Sequence, residues 1–436
     1  VRPLARITDA PGVRRLGTAA PALVCLAWAV TRLPMFLLVL RVIPNSLNFE
    51  SGDVTTYQQW AGQLAAGHFP ATDVRWQYPP GSAAILLLPK LLGGPYHQAF
   101  AVVALAADAL ILALLLRATR EGERFGPWLW VVAVPLLGLI VYYRYDMLVS
   151  VFAVAAVLVM ARRPITGGIL TGLGAIVKVW PGLILFGAPP RHRGGIRALT
   201  AAITTALAVY AAFTLTMTGA DSFLRYQSKR GIEIESIFAT PFMIIRHLGV
   251  TYRTPLRYGS YEYVGPGVTL VGYLALATTL LALGWMILWR YKANHWTPAT
   301  IGDAALTATL LFIVISRVIS PQYMIWVLAL AAAALCIPGT SQKPTALLIL
   351  ITTAITQIEY PGVFDHGIVP GHVLPSLVLV VRNVLLLTTT VVSMRRLWRA
   401  TVTPPATTTP DARRRQDPAA SRPAASDSLG ASPQGT

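Results

Sequence analysis

Charge is scarce in this sequence, and acid is scarcer than base. Only 12% of the 436 residues are charged, 18 Asp and Glu against 36 Lys and Arg, while 55% are hydrophobic. Soluble domains carry about 25% charged residues, so a water-soluble globular class is excluded. Cysteine is almost missing: Cys25 and Cys336 both lie inside apolar runs, which rules out a disulfide framework and reads as packing. The seven histidines are scattered without zinc-ligand spacing, and no Walker loop or serine-triad signature occurs. A metal site is unsupported, although carboxylates alone can recruit a divalent ion, and no cofactor is expected.

What the sequence does have is long apolar runs separated by short basic clusters. A net charge of +18 would fit a nucleic-acid binder, but here the basic residues sit between apolar stretches, which is the signature of membrane topology. The run 19–40 follows Arg2, Arg6, Arg14 and Arg15 and exceeds the 7–15 residues of a signal peptide core; it matches the roughly 20 residues of a bilayer span. Residues 1–18 are therefore expected to be cytoplasmic. Further apolar segments fall at 96–116, 127–143, 147–161, 196–218, 267–289, 301–315, 321–336, 345–358 and 372–394. The stretch 165–188 is flanked by basic clusters on both sides, so it is read as two short helices meeting near Lys178 and Pro181, where proline breaks the helix. The expectation is an all-α polytopic membrane protein of about 11–12 spanning or partly spanning helices. Its membrane domain covers 19–397, with large outer loops at 41–95 and 219–266, and the Pro-, Ala- and Thr-rich residues 398–436 form a disordered cytoplasmic tail.

On this topology most polar residues gather at the outer ends of the helices: Glu50, Asp53, Arg144, Asp146, Arg225, Lys229, Arg230, Glu233, Glu235, Arg317, Gln322, Tyr323, Glu359, Asp365 and His366. Only Asp108, Lys178 and Arg382 are expected deep in the membrane, where ionisable groups are costly. A cavity lined by acid on one side and base on the other fits a membrane enzyme acting on an anionic lipid. Arginine supplies the planar fork that a phosphate needs. Arg225 and Lys229, at i, i+4, together with Arg230 would share one helical face, although an amphipathic surface helix against lipid headgroups explains them equally. Asp53, in Ser51-Gly52-Asp53-Val54, is the candidate for taking a proton from an acceptor hydroxyl; an N-cap ahead of Val54 is the competing reading. Asp146 carries the same alternative, with Arg144 as its expected ion-pair partner. Asp108 reads as a buried acid satisfied by another helix. Arg382 either reaches a lipid phosphate or makes an ion pair that holds the last helix. Trp60, Trp76 and Tyr323 are candidates for stacking on sugar rings, with an interfacial aromatic belt as the alternative.

Several short stretches, in this order along the chain, resemble a known family: Gly52-Asp53-Val54-Thr55-Thr56-Tyr57, Tyr78-Pro79-Pro80, Arg144-Tyr145-Asp146-Met147-Leu148, Lys178-Val179-Trp180-Pro181, Glu235-Ser236-Ile237 and Ser320-Pro321-Gln322-Tyr323. The chain is similar over residues 20–397 to the GT-C superfamily of polytopic glycosyltransferases, particularly glycosyltransferase family 87, the polyprenol-phosphate-mannose-dependent mannosyltransferases of actinobacteria. The resemblance implies a polyprenyl-phosphate sugar donor and a lipid or cell-envelope glycan acceptor, with membrane lipids but no nucleic acid as partners. It also implies a bacterial plasma-membrane location, a site facing outside, and the first-loop acid, here Asp53, as catalytic base. Its first motif adds Tyr57 to the substrate-binding candidates, which are Glu50, Arg144, Asp146, Lys178, Arg225, Lys229, Arg230, Glu235, Arg317, Gln322, Tyr323 and Arg382. One departure stands out: family members often carry paired histidines after the Ser-Pro element, where this chain has Gln322-Tyr323-Met324. The donor sugar is therefore open, arabinofuranose included. The rival class is a transporter or flippase of lipid-linked sugars, which would predict internal repeats; no persuasive repeat relates the two halves. A non-catalytic membrane scaffold using the tail as its partner site is the second rival.

Overall fold

The computed structural model describes residues 20–43, 52–119, 124–190, 192–227 and 230–403. The expected cytoplasmic N-terminal segment and most of the expected tail, together with Glu50 and Lys229, lie outside the described residues.

Among the described residues, six helices are long and apolar enough to cross a membrane. Four of them are α1 (Pro21–Val39), α4 (Tyr96–Ala118), α9 (Arg193–Thr216) and α12 (Val268–Lys292); the others are α15 (Lys343–Gln357) with the wide helical turn that follows it to Ile368, and α16 (Val373–Thr401). Shorter apolar helices complete the bundle: α5 (Phe125–Leu136), α7 (Asp146–Met160), α8 (Pro164–Val177), α13 (Pro298–Val314) and α14 (Tyr323–Leu335). A single turn, α6 (Ile140–Tyr143), precedes α7. Every apolar segment predicted above has its helical counterpart, so this is an all-α polytopic membrane protein. The last helix continues to Thr401, one turn past the expected boundary at 397, because Trp289 Nε1 donates to Thr401 Oγ1 at 2.9 Å and ties that turn to α12.

The broken pair is present as read. α8 stops at Val177, Lys178 is extended (φ −156°, ψ 129°), and the chain turns back through a 3-10 segment, Trp180–Gly187, that has Pro181 in its first turn. The extended residue and the proline together deny the helix its continuation. Close packing explains the glycines of α8: a Cβ at Gly168 or Gly172 would strike the backbone of Ala198 or Ala202 on α9. Small residues let membrane helices approach this far. α14 is the centre of the bundle, with Met324 through Ala334 all buried.

The two predicted outer loops are not featureless. The first contains α2 (Gly52–Ala65) and α3 (Ser82–Leu92). α2 buries Val54, Tyr57, Trp60, Ala61 and Leu64, an i, i+3, i+7 pattern that makes one apolar stripe. The second carries α10 (Phe223–Gln227), α11 (Thr240–Arg246) and a small antiparallel sheet in which β3 (Ser260–Tyr263) lies between β1 (Ile232–Glu233) and β2 (Leu256–Arg257). The described helix holding Arg225 spans Phe223–Gln227, and Arg230 lies beyond it in non-helical backbone, so Arg230 does not share a helical face with Arg225.

One deep ion pair joins α1 to α4. Arg32 Nε meets Asp108 Oδ2 at 2.9 Å, and the same carboxylate accepts from Trp130 Nε1 at 2.7 Å and Tyr142 Oη at 3.0 Å. Asp108 is therefore the satisfied buried acid expected. Arg32, 2% exposed, is a deep charge that the sequence reading did not place there.

Candidate active site

Several chain breaks meet at one end of the bundle: the first turn of α2, the link 144–146 before α7, Lys178 after α8 and the segment 316–322 before α14. Each break frees a polar side chain from a helix that would otherwise present only apolar faces, which is where irregular backbone at membrane depth is tolerated.

Asp53 is the second residue of α2, not the residue preceding it, so the N-cap reading fails; an acid in the first turn is favoured there by the helix dipole. Its Oδ2 receives Arg144 NH2 at 2.5 Å, with side-chain exposures of 40% for the aspartate and 16% for the arginine. Arg144 was expected to pair with Asp146. It does not, because Arg144 is extended (φ −124°, ψ 136°) whereas Asp146 begins α7, and the chain turns between them. Asp146, 1% exposed, instead pairs across to the broken helix: Lys178 Nζ lies 2.6 Å from its Oδ1 and Trp326 Nε1 donates to the same oxygen at 2.5 Å. Its Oδ2 finds no partner among the described residues.

Aromatic rings fill the space between these two ion pairs. Lys178 Nζ lies 5.0 Å from the Tyr145 ring centre, 5.1 Å from Trp326, 5.6 Å from Tyr78 and 5.9 Å from Tyr323, a range in which ring faces attract a cation. Tyr57 meets Tyr145 edge-on at 5.6 Å and Tyr145 meets Tyr78 at 5.2 Å. Tyr323 stacks on Trp326 at 4.0 Å. Trp60 and Trp76 do not fit the sugar-stacking role: they are 2% and 0% exposed and pack edge to face at 5.1 Å, with Trp60 Nε1 also donating to Asp73. They are core. Gln322 is likewise buried, at the start of α14.

The other basic candidates separate by what already engages them. Arg382 donates through Nε and NH2 to both oxygens of Glu359 at 2.7 and 2.9 Å, to Glu235 Oε1 at 3.1 Å and to Asn383 Oδ1 at 2.9 Å. With its fork saturated and 1% exposure, it is the ion pair holding α16, not a phosphate ligand. Glu235, a substrate-binding candidate, is a partner in that lock, its side chain 7% exposed. Burial, then the neighbouring charges of Glu233 and Glu359, push its carboxyl well above the usual carboxylate range. Arg230 is similarly engaged, by Gln77 Oε1 at 2.8 Å, Ser260 Oγ at 2.6 Å and Glu262 Oε1 at 3.3 Å. Arg225 is exposed on α10. Arg317 differs from all of these, since among the described residues nothing pairs with its guanidinium while its backbone carbonyl accepts from Glu233 N at 3.0 Å.

The sequence reading missed Trp326, which orients Asp146, and Tyr145, which stands between the ion pairs. The signal was present for both: Tyr145 lies inside the Arg144–Asp146 link, and Trp326 is one helical turn after Gln322. No group of three or more potential metal ligands occurs among the described residues.

The model of glycosyltransferase family 87 matches residues 76–321, which include Arg144, Asp146, Lys178, Arg230, Glu235 and Arg317 but not Asp53. Among solved structures the chain is similar to ArnT from Cupriavidus metallidurans bound to undecaprenyl phosphate, with 14% identity, a TM-score of 0.43, and coverage of 87% of this chain and 78% of that one. None of the curated proteins compared matches the sequence. The family match spans more than half of the 436 residues, and this chain belongs to glycosyltransferase family 87.

Proposed function

We propose that this membrane glycosyltransferase moves mannose from a polyprenyl-phosphate donor to a hydroxyl of a lipid or cell-envelope glycan, at the outer face of a bacterial plasma membrane, with Asp53 as general base. The observation that carries the reading is the Asp53–Arg144 pair. Of the paired acids gathered at this end of the bundle, Asp53 has the most open carboxylate, at 40% exposure, against 1% for Asp146, 7% for Glu235 and 0% for Glu359. A base must reach the proton it removes, and the buried acids are committed to Lys178 and Arg382.

In the reaction, Asp53 accepts the acceptor hydroxyl proton as that oxygen attacks the anomeric carbon. The bond from that carbon to the phosphate oxygen breaks, and its electron pair leaves with the polyprenyl phosphate, inverting the anomeric centre. The transition state carries positive charge on the sugar ring and growing negative charge on the leaving phosphate, which fixed cations stabilise. Arg144 holds the carboxylate in place through the contact at Oδ2. The Lys178–Asp146 pair and its aromatic surround form the floor on which the sugar rests.

The test supplies the purified full chain with polyprenyl-phosphate mannose and a membrane lipid extract. The expected result is a mannosylated lipid of inverted anomeric configuration together with free polyprenyl phosphate. A product seen only with an arabinofuranosyl donor would replace the sugar and keep the reaction. Retention of configuration would remove the single-displacement mechanism.

A further inference from the structure

One turn along α2 from Asp53 stands a guanidinium that the proposed reaction leaves unused. The chain that leaves α2 folds back along it, where Trp60 Nε1 donates to Asp73 Oδ2 at 3.0 Å and Arg75 NH1 donates to Thr56 Oγ1 at 3.1 Å. Thr56 lies three residues after Asp53, and side chains at i, i+3 are neighbours on a helix surface. Thr56 in turn donates to Gly52 O at 3.0 Å, in the same turn as Asp53. Arg75 is thereby set beside the proposed base. The hydrogen bonds to Asp73 above all, and then the charges of Asp73 and Asp53, raise its pKa above the ordinary arginine value against the cost of burial.

Arg75 is braced but not used up. Its backbone N donates to Asp73 Oδ1 at 2.9 Å, its Nε to the same oxygen at 3.0 Å and its NH2 to Oδ2 at 2.7 Å, a two-pronged grip that fixes the plane of the fork. The turn between β2 and β3 covers its stem: a Cβ at Gly259 would stand 3.6 Å from Arg75 Cγ, and Gln77 Nε2 donates to Tyr258 O at 3.4 Å. The two outer loops therefore meet at this arginine. A guanidinium has five N–H groups, which leaves one on each terminal nitrogen without a partner among the described residues. The side chain is 44% exposed, beside an Asp53 carboxylate that is 40% exposed.

Charge decides what those N–H groups can take. Asp73 balances Arg75 and Asp53 balances Arg144, two anions against two cations. A phosphate would enter here with no cation of its own, whereas a sugar hydroxyl accepts a hydrogen bond and brings no charge. A fixed donor beside a base also suits a ring carrying several hydroxyls, because one is held while its neighbour is aimed at the reacting carbon.

We propose that Arg75 is an acceptor-binding residue: its remaining N–H groups hold a hydroxyl oxygen of the acceptor's uncharged terminal sugar ring, next to the hydroxyl that Asp53 deprotonates. The inference rests on the reaction proposed above, and it narrows the acceptor to a glycan end in place of a phosphorylated headgroup.

The test follows transfer from polyprenyl-phosphate mannose by the purified full chain, first at graded concentrations of membrane lipid extract and then at graded concentrations of donor. The proteins are wild type, Arg75→Met and Arg75→Lys, each with a melting curve. Lysine keeps the charge opposite Asp73 but not the fork, and it keeps the test valid where methionine disturbs folding. The half-saturating extract concentration should rise at least about tenfold in Arg75→Met, the scale of one lost charge-assisted hydrogen bond. It should rise less in Arg75→Lys, and the half-saturating donor concentration should not change in either. An unchanged extract requirement in the folded variants overturns the assignment and leaves Arg75 as a brace between the loops. A raised donor requirement also overturns it, in favour of a donor contact. An extract requirement that grows between about 20 and 500 mM NaCl in wild type but not in Arg75→Met would place an anion on the arginine and overturn the uncharged ring. No transfer by wild type removes the donor reading itself, and this inference with it.

Discussion

Arg144, in the extended link before α7, reaches the carboxylate of Asp53 in the first turn of α2 at 2.5 Å. This contact ties the first large loop, where the proposed base lies, to the bundle that carries the family match. The ordinary role of such a pair is to fix a carboxylate in one orientation, and here the carboxylate stays 40% exposed while the arginine is largely covered. On the proposed mechanism, orientation and proton transfer are divided between two residues 91 positions apart in the chain.

Arg144→Gln should reduce kcat for transfer by about 10- to 100-fold, the scale of a misplaced catalytic group, with a smaller change in KM. Arg144→Lys retains a charge but not the fork and should fall between. Steady-state kinetics with the polyprenyl-phosphate donor check this. A purely structural role would lower the yield of folded protein without this kcat-selective pattern.

Lys178→Met leaves the Asp146 carboxylate buried with Trp326 as its remaining donor. Breaking a buried pair by removing one partner costs about 3–5 kcal/mol, so thermal unfolding in detergent should fall steeply. The double variant Asp146→Asn, Lys178→Met should recover a large part of that loss in a double-mutant cycle. Additive losses would show that the two side chains do not act as a pair.

The acids around Arg382 should respond unequally. Glu359 makes two bonds to the guanidinium, at 2.7 and 2.9 Å, so Glu359→Gln should destabilise strongly, again on the scale of about 3–5 kcal/mol. Glu235 is buried beside two other glutamates, which holds it toward the protonated form. A glutamine resembles that form, so Glu235→Gln should cost about 1 kcal/mol or less. Differential scanning of the two variants at neutral pH separates them; equal losses would contradict the assignment.

Gly168→Leu should fail to assemble normally, since any Cβ at that position meets the Ala198 backbone and overpacking costs about 1–3 kcal/mol or more. Gly284→Leu, in open space on α12, is the matched control. Size-exclusion profiles and melting curves of the two distinguish close packing from a general intolerance of glycine substitution.

The apolar segments and the break at Lys178 were legible in the sequence because hydropathy and proline act locally. Side-chain partners were not, since pairing depends on how helices rotate about their axes. Arg144 was assigned to Asp146 on proximity in the chain, yet one extended residue sends it to Asp53 and leaves Asp146 to Lys178. Arg225 and Arg230 were given a common helical face by spacing, but Arg230 lies in non-helical backbone and is drawn to Gln77, Ser260 and Glu262. Arg382 was left between two roles, which only the position of Glu359 decides. Trp60 and Trp76 have the composition of a sugar platform and the burial of a core. Asp53 is named as the base by the family resemblance, and the structure places its 40% exposed carboxylate beside Arg144.

In the proposed reaction Asp53 removes the acceptor proton. Transfer from polyprenyl-phosphate mannose should be compared between wild type and Asp53→Asn, with matching melting curves and matching affinity for polyprenyl phosphate establishing that fold and donor site are intact. The expected result is a loss of at least about 100-fold in kcat for the variant, the lower range of general-base contributions. Transfer by Asp53→Asn at the wild-type rate would contradict it.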